Sequence, residues 1–412
     1  MLSSKNVNPL FLNPDGSIKQ LYRHFLDNDL YAYTMSNAGL IKSPDTVTED
    51  ILIIRKAFKV TDEYVAELKR QINFFPNLFL SDEDEIKFQK ACYYLPKSYM
   101  KWLKAYRFDP GELEVWAEGN VLYIKIKGLF HRTVIWETPL MALISELFFL
   151  MNGDRPDPKY IYRAEQKGLR LLKIGARYSE FGTRRRFSYE VQKNVLIALI
   201  QTSGLLKDGG VLVGTSNVHL ALLLGITPTG TNAHKWYQLC AGLFGVRMAN
   251  RMALQWWAEV YGTYLGTALT DTYTTDDFIK TFDRRDAMLY ESVRQDSGDP
   301  FMYVRKFLKA YEDLLIRPIT KTILFSDSLN IDLVEKIVMY CAGKIQCAFG
   351  IGTFFSNDIL GVEPLKIVIK QVAVWLKDGR RVATCKLSDD PGKSSGERAA
   401  VEHAQYEVGI TS

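Results

Sequence analysis

The spacing of apolar and polar residues divides the chain into two regions with different patterns. Up to about residue 150, segments with helical spacing and acidic first turns, such as Thr61–Ile72 and Asp82–Tyr93, are mixed with short alternating segments. Two alternating segments, Leu113–Ala117 and Val121–Lys127, flank Glu118-Gly119-Asn120, and this arrangement predicts a β-hairpin. We therefore expect residues 1–150 to combine helices with a small sheet.

From about Pro158 onward, short apolar runs end in Gly, Ser, Thr or Asp and are followed by amphipathic segments. The strand candidates are Ser179–Phe181, Val211–Val213, Gly266–Leu269, Tyr290–Val293, Thr322–Phe325, Ile345–Phe349 and Leu365–Ile369. The helix candidates are Ser188–Gln201, Val218–Leu224, Asn232–Tyr261, Thr275–Phe282, Pro300–Leu315 and Ile331–Tyr340. Repeated strand–helix units predict a parallel sheet with right-handed crossovers. A closed or irregular (β/α) barrel is favoured, and a doubly wound open sheet remains the alternative.

The end of the chain returns to a hairpin pattern. Gln371–Leu376 and Arg381–Lys386 flank Asp378-Gly379, a strong signal for a tight turn. We expect this hairpin to complete the N-terminal sheet. The predicted fold is α/β: an irregular (β/α) barrel over residues 151–370, with a flanking α+β domain built from residues 1–150 and 371–412.

Composition narrows the class of protein. Hydrophobic residues make up 47% and charged residues 24%, as in ordinary soluble globular proteins, and the net charge of +5 is too small and dispersed for a nucleic-acid surface. The five cysteines are scattered without a Cys-x-x-Cys pair, which is typical of reduced thiols in the cytoplasm. The longest apolar stretch, Pro139–Met151, is too short for a membrane span. We therefore expect a cytoplasmic protein with no nucleic-acid or membrane partner.

Unusual residues concentrate in the loops that follow the predicted strands, where barrel enzymes place their active sites. Any one of these loops is explicable as a turn or helix cap, but six on consecutive units indicate a functional site. The strings are Phe181-Gly182-Thr183-Arg184-Arg185-Arg186, Gly214-Thr215-Ser216-Asn217, Thr229-Gly230-Thr231-Asn232-Ala233-His234, Arg294-Gln295-Asp296-Ser297-Gly298-Asp299-Pro300, Ser326-Asp327-Ser328 and Phe349-Gly350-Ile351-Gly352-Thr353.

The chemistry of these loops suits anionic ligands. A Gly-rich turn that ends in Thr353 presents backbone N–H groups to phosphate oxygens, although it also suits a plain strand-to-helix turn. Three consecutive arginines point to different sides of a helix, so we expect only one of them to enter the site. Asp296, Asp299 and Asp327 can hold ribose hydroxyls or a divalent cation, or can cap helices.

Together these strings resemble the nicotinate phosphoribosyltransferase family along nearly the whole chain. The likeness begins at Leu26-Asp27-Asn28-Asp29-Leu30-Tyr31, continues through the loop strings, and ends at Lys386-Leu387-Ser388-Asp389-Asp390-Pro391-Gly392-Lys393. One departure is Ala32, where the family usually has Lys. The resemblance implies synthesis of nicotinate mononucleotide from nicotinate and phosphoribosyl pyrophosphate, in salvage of NAD. It also implies ATP hydrolysis coupled through a phosphohistidine, Mg²⁺ as a companion of the substrates, and a homodimer.

The resemblance also implies roles for individual residues. The pyridine ring would stack between Phe181 and the partner subunit's Tyr31, because an electron-poor ring favours aromatic faces. Nicotinate binding falls to Tyr31, Phe181, Arg184, Ser216, Thr231 and Arg294. Binding of the phosphoribosyl group and its phosphates falls to Asp296, Ser297, Asp327, Gly350, Gly352 and Thr353. No protein metal site is expected, although Mg²⁺ arriving with substrate would lie near Asp296 and Asp327.

Two histidines lie near these loops. A neutral imidazole is a competent nucleophile toward the γ-phosphate of ATP when its second nitrogen is held in place. His234 follows the Gly-Thr-x-Ala string, where the family places its phosphorylated histidine, whereas His219 lies in an apolar helix that predicts a packing role. We therefore expect His234 to be the catalytic histidine.

Other functions remain as alternatives. A nicotinamide-specific enzyme of the same fold would have Asp at the position of Ser216, so Ser216 favours the acid over the amide. A quinolinate-specific enzyme would need further basic residues. A non-catalytic regulator that keeps the fold, and a barrel enzyme acting on another sugar phosphate, complete the alternatives.

Overall fold

The computed structural model describes residues 2–54, 56, 58–205 and 209–410. Its strands are β1 (Val47–Ile54), β2 (Leu113–Glu118), β3 (Val121–Leu129), β4 (Arg177–Glu180), β5 (Val211–Thr215), β6 (Thr227–Pro228), β7 (Thr267–Leu269), β8 (Ser292–Gln295), β9 (Thr322–Phe325), β10 (Gln346–Ile351), β11 (Ile367–Trp375) and β12 (Arg381–Ala383). Its helices are α1 (Leu30–Lys42), α2 (Asp62–Ile72), α3 (Asp82–Ala91), α4 (Lys97–Ala105), α5 (Phe130–Thr133), α6 (Glu137–Asn152), α7 (Tyr160–Lys173), α8 (Tyr189–Ser203), α9 (Val218–Leu224), α10 (His234–Phe244), α11 (Val246–Tyr261), α12 (Thr275–Thr281), α13 (Arg284–Leu289), α14 (Pro300–Asp313), α15 (Ile331–Cys341), α16 (Thr353–Ser356) and α17 (Arg398–Val408).

One sheet is antiparallel and contains strands from both ends of the chain, in the order β12-β11-β1-β3-β2. The β2–β3 turn is tight because Gly119 and Asn120 both adopt positive φ, 56° and 68°, which suits the twist of a hairpin. Strand β1 pairs with β3 on one side and with β11 on the other. The predicted α+β domain built from N- and C-terminal segments is therefore confirmed.

The second sheet is parallel and curls into a half-barrel, in the order β6-β5-β4-β10-β9-β8-β7. Helices follow most of its strands, as the repeated apolar and amphipathic segments predict. The irregular α/β barrel class is confirmed. Strand β11 of the antiparallel sheet contributes Ile369 and Lys370 to a cavity that the half-barrel also lines. The two sheets therefore enclose this cavity together.

Two sequence-based predictions about these elements are wrong. Leu365–Ile369 does not supply a barrel strand, because Ile367–Trp375 forms the antiparallel strand β11 and the short strand Thr227–Pro228 takes a place in the parallel sheet. Strand β11 is buried on both faces along most of its length, so it lacks the polar alternation that marks an antiparallel strand. The single helix predicted over Asn232–Tyr261 is divided at Gly245, whose φ of 85° ends α10.

The longest apolar segment lies in the core. Phe130–Asn152 is long and apolar enough to cross a membrane, but 89% of its most apolar window is buried inside the protein. Such burial is typical of a core helix. The five cysteines are free thiols, and Cys92, Cys240, Cys341 and Cys385 are buried.

Candidate active site

The main cavity lies inside the half-barrel and has a volume of about 370 Å³. Strand ends position its side chains: Phe181 directly follows β4, Ser216 follows β5, and Arg294 stands in β8. Eight residues predicted from the sequence line this cavity, namely Tyr31, Phe181, Arg184, Ser216, Thr231, His234, Arg294 and Asp296. Loops from distant parts of the chain are thus brought together, as a barrel fold requires.

His234 is the first residue of α10 and is buried. Its Nδ1 lies 3.0 Å from the Thr272 hydroxyl, and its Nε2 lies 2.9 Å from Lys386 Nζ and 3.0 Å from Asp296 Oδ2. Burial, reinforced by the charges of Lys386 and Lys370, lowers the pKa of His234 to about 3. The imidazole is therefore neutral at pH 7. We assign its hydrogen to Nδ1, which donates to Thr272 and leaves the Nε2 lone pair toward the Lys386 ammonium.

Two charged residues around His234, Lys386 and Asp271, were not predicted from the sequence. Lys386 Nζ donates to Asp271 Oδ2 at 2.8 Å, and Asp271 Oδ1 lies 3.9 Å from His234 Nε2. Burial alone would raise the pKa of Asp271, but the charge of Lys386 and the hydrogen bond it donates hold that pKa below its ordinary value. A signal for Lys386 existed, since it begins the last string that carries the family resemblance. The sequence signal for Asp271 was weaker, namely its position two residues after the end of β7.

Arg294 and Asp296 form a pair at the end of β8. Arg294 Nη2 donates to Asp296 Oδ1 at 2.8 Å, Nε donates to the Ser326 hydroxyl at 2.8 Å, and Nη1 donates to the Asn232 carbonyl at 3.5 Å. Each terminal nitrogen therefore keeps one N–H for a ligand. Burial alone would raise the pKa of Asp296, but the charges of Arg294 and Lys386 hold it well below its ordinary value. Asp296 is thus a carboxylate at neutral pH.

Arg184 lies between the cavity and two buried acids. Its Nη1 is 3.3 Å from Glu137 Oε1, its Nε is 3.9 Å from Asp29 Oδ2, and its guanidinium lies 5.8 Å from the centre of the Tyr31 ring. Glu137 and Asp29 were not expected from the sequence, since one opens an apolar helix and the other precedes α1. Of the three consecutive arginines, Arg184 lines the cavity and Arg186 pairs with Asp27 away from it.

Tyr31 lines the cavity of its own chain and is 8% exposed. Its hydroxyl lies 3.1 Å from the Thr138 hydroxyl. The family resemblance implied that the partner subunit's Tyr31 completes the pocket, and this structure places the residue differently. Asp27 explains the difference, because its bidentate pair with Arg186 fixes the segment before α1 against the half-barrel of the same chain.

Ser216 donates a hydrogen bond to Asp29 Oδ1 at 2.7 Å. Burial raises the pKa of Asp29, although Arg184 and this hydrogen bond oppose the rise. Ser216 itself adds no charge, as expected from the sequence, but a carboxyl group from another segment lies directly beside it. The choice between acid and amide therefore depends on Asp29 and Arg184 together with Ser216.

The other five predicted residues, all within the described part of the chain, are not among the residues that line this cavity. Gly350 leaves room for the Phe181 ring, because a Cβ at this position would overlap it. Ser297 donates to Asp271 Oδ2 at 2.6 Å, and Asp327 Oδ2 accepts from Lys393 at 2.8 Å. Gly352 and Thr353 form the turn into α16. The phosphate and ribose contacts of these five residues stay predictions.

His234, Asp271 and Asp296 offer ligand atoms that lie within 4.8 Å of one another, as a metal site requires. However, Lys386 Nζ already lies 2.8 Å from Asp271 and 2.9 Å from His234. An ammonium in that position supplies the positive charge that a resident cation would bring. These residues therefore do not fit a permanently bound metal ion.

A parallel half-barrel whose strand ends surround cationic, aromatic and nucleophilic side chains defines an enzyme site for anionic substrates. Comparison with known proteins identifies the family. The family description "Nicotinate phosphoribosyltransferase (NAPRTase) family" matches residues 176–410, and that of its N-terminal domain matches residues 26–145. The chain belongs to the nicotinate phosphoribosyltransferase family.

Individual relatives agree with this assignment over nearly the whole chain. The nicotinate phosphoribosyltransferase of Chromohalobacter salexigens is 38% identical, over 94% of this chain and 98% of its own. That of Desulforapulum autotrophicum is 40% identical, over 93% and 98%. The crystal structure of the Porphyromonas gingivalis enzyme matches with a TM-score of 0.91 and 39% identity, over 94% of this chain and all 100% of that one.

Proposed function

We propose that this protein joins nicotinate to phosphoribosyl pyrophosphate to form nicotinate mononucleotide, and couples the reaction to ATP hydrolysis through phosphorylated His234. The observation that carries the proposal is the neutral, buried imidazole of His234 between Lys386 and Asp296, in a cavity that also holds Arg294. The names of the relatives support the substrates nicotinate and phosphoribosyl pyrophosphate. The product is a precursor of NAD.

Aromatic and cationic side chains of the cavity suit nicotinate. Phe181 and Tyr31 offer ring faces to an electron-poor pyridine. The free N–H groups of Arg294 can bind the carboxylate with Thr231 beside it, and Arg184 supplies a second positive charge. The ring nitrogen remains unprotonated and serves as the nucleophile.

In the phosphoribosyl transfer, the pyridine nitrogen forms a bond to the anomeric carbon while the carbon–oxygen bond to pyrophosphate breaks. Positive charge develops on the ribose ring, and the departing pyrophosphate carries the electron pair away. The protein contributes by aligning the two reactants and by placing the ammonium group of Lys386, beside His234, near the departing group. We propose that Asp296 accepts a hydrogen bond from a ribose hydroxyl.

In the coupled step, His234 Nε2 attacks the γ-phosphorus of ATP, a phosphorus–nitrogen bond forms, and the bond to the β-phosphate oxygen breaks to release ADP. Thr272 holds Nδ1 and so orients the ring. Lys386 and the N-terminus of the 11-residue helix α10 place positive charge beside the transferred phosphoryl group. Hydrolysis of the phosphohistidine then returns the enzyme to its first state.

The proposal also includes Mg²⁺ that arrives with the substrates, and a homodimer as the assembly. Because Lys386 occupies the acidic cluster, we propose that Mg²⁺ arrives with the polyphosphate substrates and meets Asp296, or Asp327, partly through water. A homodimer remains the proposed assembly. It has no need to supply Tyr31, because the Tyr31 of the same chain lines the cavity.

The experiment is an assay of the purified chain with phosphoribosyl pyrophosphate and either nicotinate or nicotinamide, with and without ATP. We expect turnover of nicotinate at least ~100-fold above that of nicotinamide, the scale of a charge-assisted contact. Nicotinamide is the second candidate substrate, because Asp29 lies beside Ser216 and a carboxyl group can accept a hydrogen bond from a carboxamide. Equal turnover of the two pyridines would contradict the proposed specificity, and no turnover of either would favour a non-catalytic regulator.

A further inference from the structure

Two of the five cysteines lie next to each other in the fold. Cys341 is the last residue of α15, and Cys347 is the second residue of β10, with a tight turn between them. The Cys341 carbonyl accepts hydrogen bonds from the backbone of Lys344 at 2.9 Å and of Ile345 at 3.2 Å. Gly343, with a φ of 71°, permits the reversal. The turn therefore folds the start of β10 back against the end of the helix.

Cys347 belongs to the wall of the main cavity, and its side chain lies on the outer side of that wall. Strand β10 pairs with β9 so that Gln346 stands opposite Thr322 and Cys347 stands opposite Ile323. Thr322 and Leu324 line the cavity, whereas Ile323 is fully buried in the core. Successive side chains of a strand point to opposite faces. Cys347 therefore shares the outer face with Ile323, on the side where α15 packs.

The two thiols lie within hydrogen-bonding reach of each other, and Cys341 donates to the Cys347 sulfur. This hydrogen bond, together with burial, raises the pKa of Cys341, and it lowers the pKa of Cys347 below its ordinary value. All five cysteines are within the described part of the chain, and of these Cys347 alone is partly exposed and more acidic than an ordinary thiol. Both properties favour reaction with an oxidant.

The other three thiols have different neighbours. The Cys92 sulfur accepts a hydrogen bond from the Tyr94 hydroxyl at 3.3 Å, and the Cys385 thiol donates to the Ala400 carbonyl at 3.5 Å. Burial raises the pKa of Cys92 and of Cys385 to about 12, and it also raises the pKa of Cys240. These three cysteines therefore provide buried, weakly acidic thiols for comparison with the pair.

We propose that Cys341 and Cys347 form a reversible disulfide when the protein meets a peroxide, and that Cys347 reacts first. The Cys347 thiolate attacks a peroxide oxygen, so that a sulfur–oxygen bond forms and the oxygen–oxygen bond breaks. The departing hydroxide takes up the proton that Cys347 had released and leaves as water. Cys347 is then a sulfenic acid.

The second step consumes the sulfenic acid. The Cys341 sulfur attacks the Cys347 sulfur, the sulfur–sulfur bond forms, and the sulfur–oxygen bond breaks. The departing hydroxide takes the proton of Cys341 and leaves as a second water. Two electrons thus pass from the two thiols to the peroxide, and a thiol reductant reverses the change. The proposal is independent of the proposed function, because it concerns the outer face of β10 and not the interior of the cavity.

The test treats the folded full chain with hydrogen peroxide, alkylates the remaining thiols after unfolding, and maps tryptic peptides by mass spectrometry. Trypsin cleaves after Lys344, between the two cysteines, so the disulfide joins the peptides Ile337–Lys344 and Ile345–Lys366. We expect this linked pair, lighter by two hydrogens than the separate peptides, and its separation by dithiothreitol.

Cys92, Cys240 and Cys385 are the internal controls in the same digest. They should be oxidised at least ~10-fold more slowly than Cys347, because their raised pKa leaves little thiolate.

Two variants test the order of the steps. Cys341→Ser should stop at the sulfenic acid of Cys347, which the cyclic diketone dimedone traps. Cys347→Ser should leave Cys341 as a free thiol under the same treatment. Oxygen added to Cys347 of the wild type without a link to Cys341, or oxidation of all five cysteines at one rate, would overturn the proposal. The digest of the wild type decides this even if a variant does not fold.

Discussion

Arg184 and Arg186 stand two residues apart in the same loop, yet their surroundings differ sharply. Arg186 is 1% exposed and donates two hydrogen bonds to Asp27, at 2.7 and 2.8 Å, with Gln192 as a further acceptor at 3.2 Å. Arg184 is 31% exposed, lines the cavity, and has its nearest carboxylate oxygen, from Glu137, at 3.3 Å. Both terminal nitrogens of Arg186 are held inside the chain, one by Asp27 and Gln192 and the other by Asp27. Arg184 instead lines the cavity.

The difference separates buried charge that holds the fold from buried charge that serves a ligand. The Asp27–Arg186 pair joins the segment before α1 to the loop after β4, so the pair holds these two parts of the fold together. Arg184, Arg294 and Lys370 surround the cavity with donors that protein groups do not exhaust. Charge that is incompletely paired beside a cavity marks the ligand site more reliably than charge alone.

Breaking the Asp27–Arg186 pair should have the largest effect. Arg186→Met leaves the Asp27 carboxylate buried without a counter-charge, so the free energy of unfolding should fall by about 3–5 kcal/mol. Urea unfolding followed by circular dichroism measures this change. Arg170→Met, which removes an exposed arginine paired with Asp332, is the control and should cost under about 1 kcal/mol.

The double variant Asp27→Asn with Arg186→Met should recover part of the lost stability, because it removes both charges. A loss below 1 kcal/mol in Arg186→Met would mean that the pair does not hold the N-terminal segment in place.

Arg184→Met should reduce catalysis instead of stability. We expect kcat/KM for nicotinate to fall about 100-fold, equivalent to roughly 3 kcal/mol, while the free energy of unfolding changes by less than about 1 kcal/mol. Steady-state kinetics and urea unfolding of the same preparation measure the two quantities. Arg184→Lys keeps the positive charge, so its kcat/KM for nicotinate should lie between the values for the wild type and Arg184→Met. Equal losses of stability in Arg184→Met and Arg186→Met would remove the distinction between the two arginines.

A smaller effect is expected in the pH dependence of stability, through His219, which does not line the main cavity. His219 stacks on His24 with ring centres 3.6 Å apart, and its Nε2 lies 3.0 Å from the Tyr189 hydroxyl. Burial and then the neighbouring His24 lower the pKa of His219 to about 4, from an ordinary value of 6.5, while Asp27 and Asp84 act in the opposite direction. The unfolded chain therefore takes up a proton between pH 6.5 and 4 that the folded chain refuses.

Stability contributed by neutral His219 is thus complete above pH 6.5 and declines as the pH falls toward 4. When the pH is lowered from 7 to 5, the free energy of unfolding of His219→Gln should fall by about 1 kcal/mol less than that of the wild type, a value that allows for the partial exposure of His219. Unfolding at the two pH values measures the difference, with His403→Gln on the exposed face of α17 as control. An identical pH dependence in wild type and His219→Gln would contradict the assignment.

The last prediction is that mixing two inactive variants leaves activity unchanged. Because Tyr31 and Arg294 line the cavity of one chain, mixing Tyr31→Ala chains with Arg294→Ala chains should restore no activity. Each chain would carry one lesion in its own site. The activity of the mixture is measured after joint refolding, with size-exclusion chromatography to record the assembly. Substantial recovery would show that chains share their sites, as the family resemblance implied.

The sequence predicted the parts of the site that stand in recognisable places. His234, Arg294 and Phe181 were found because they occupy loops at the C-terminal ends of strands, where side chains converge. Lys370 and Glu137 were missed because each lies in an apolar segment, and only three-dimensional packing shows which face meets the cavity. The same limit explains the misassigned strand at Ile367, since a strand buried on both faces looks alike in either kind of sheet.

The central claim, that His234 is the phosphorylated residue, is tested most directly by labelling. Wild type, His234→Ala and His219→Ala are incubated with ATP labelled with ³²P at the γ-position, and acid-labile, alkali-stable label is counted. We expect label in the wild type and in His219→Ala and none in His234→Ala, which should retain slow, ATP-independent synthesis of nicotinate mononucleotide. Label that persists in His234→Ala and disappears from His219→Ala would contradict the account.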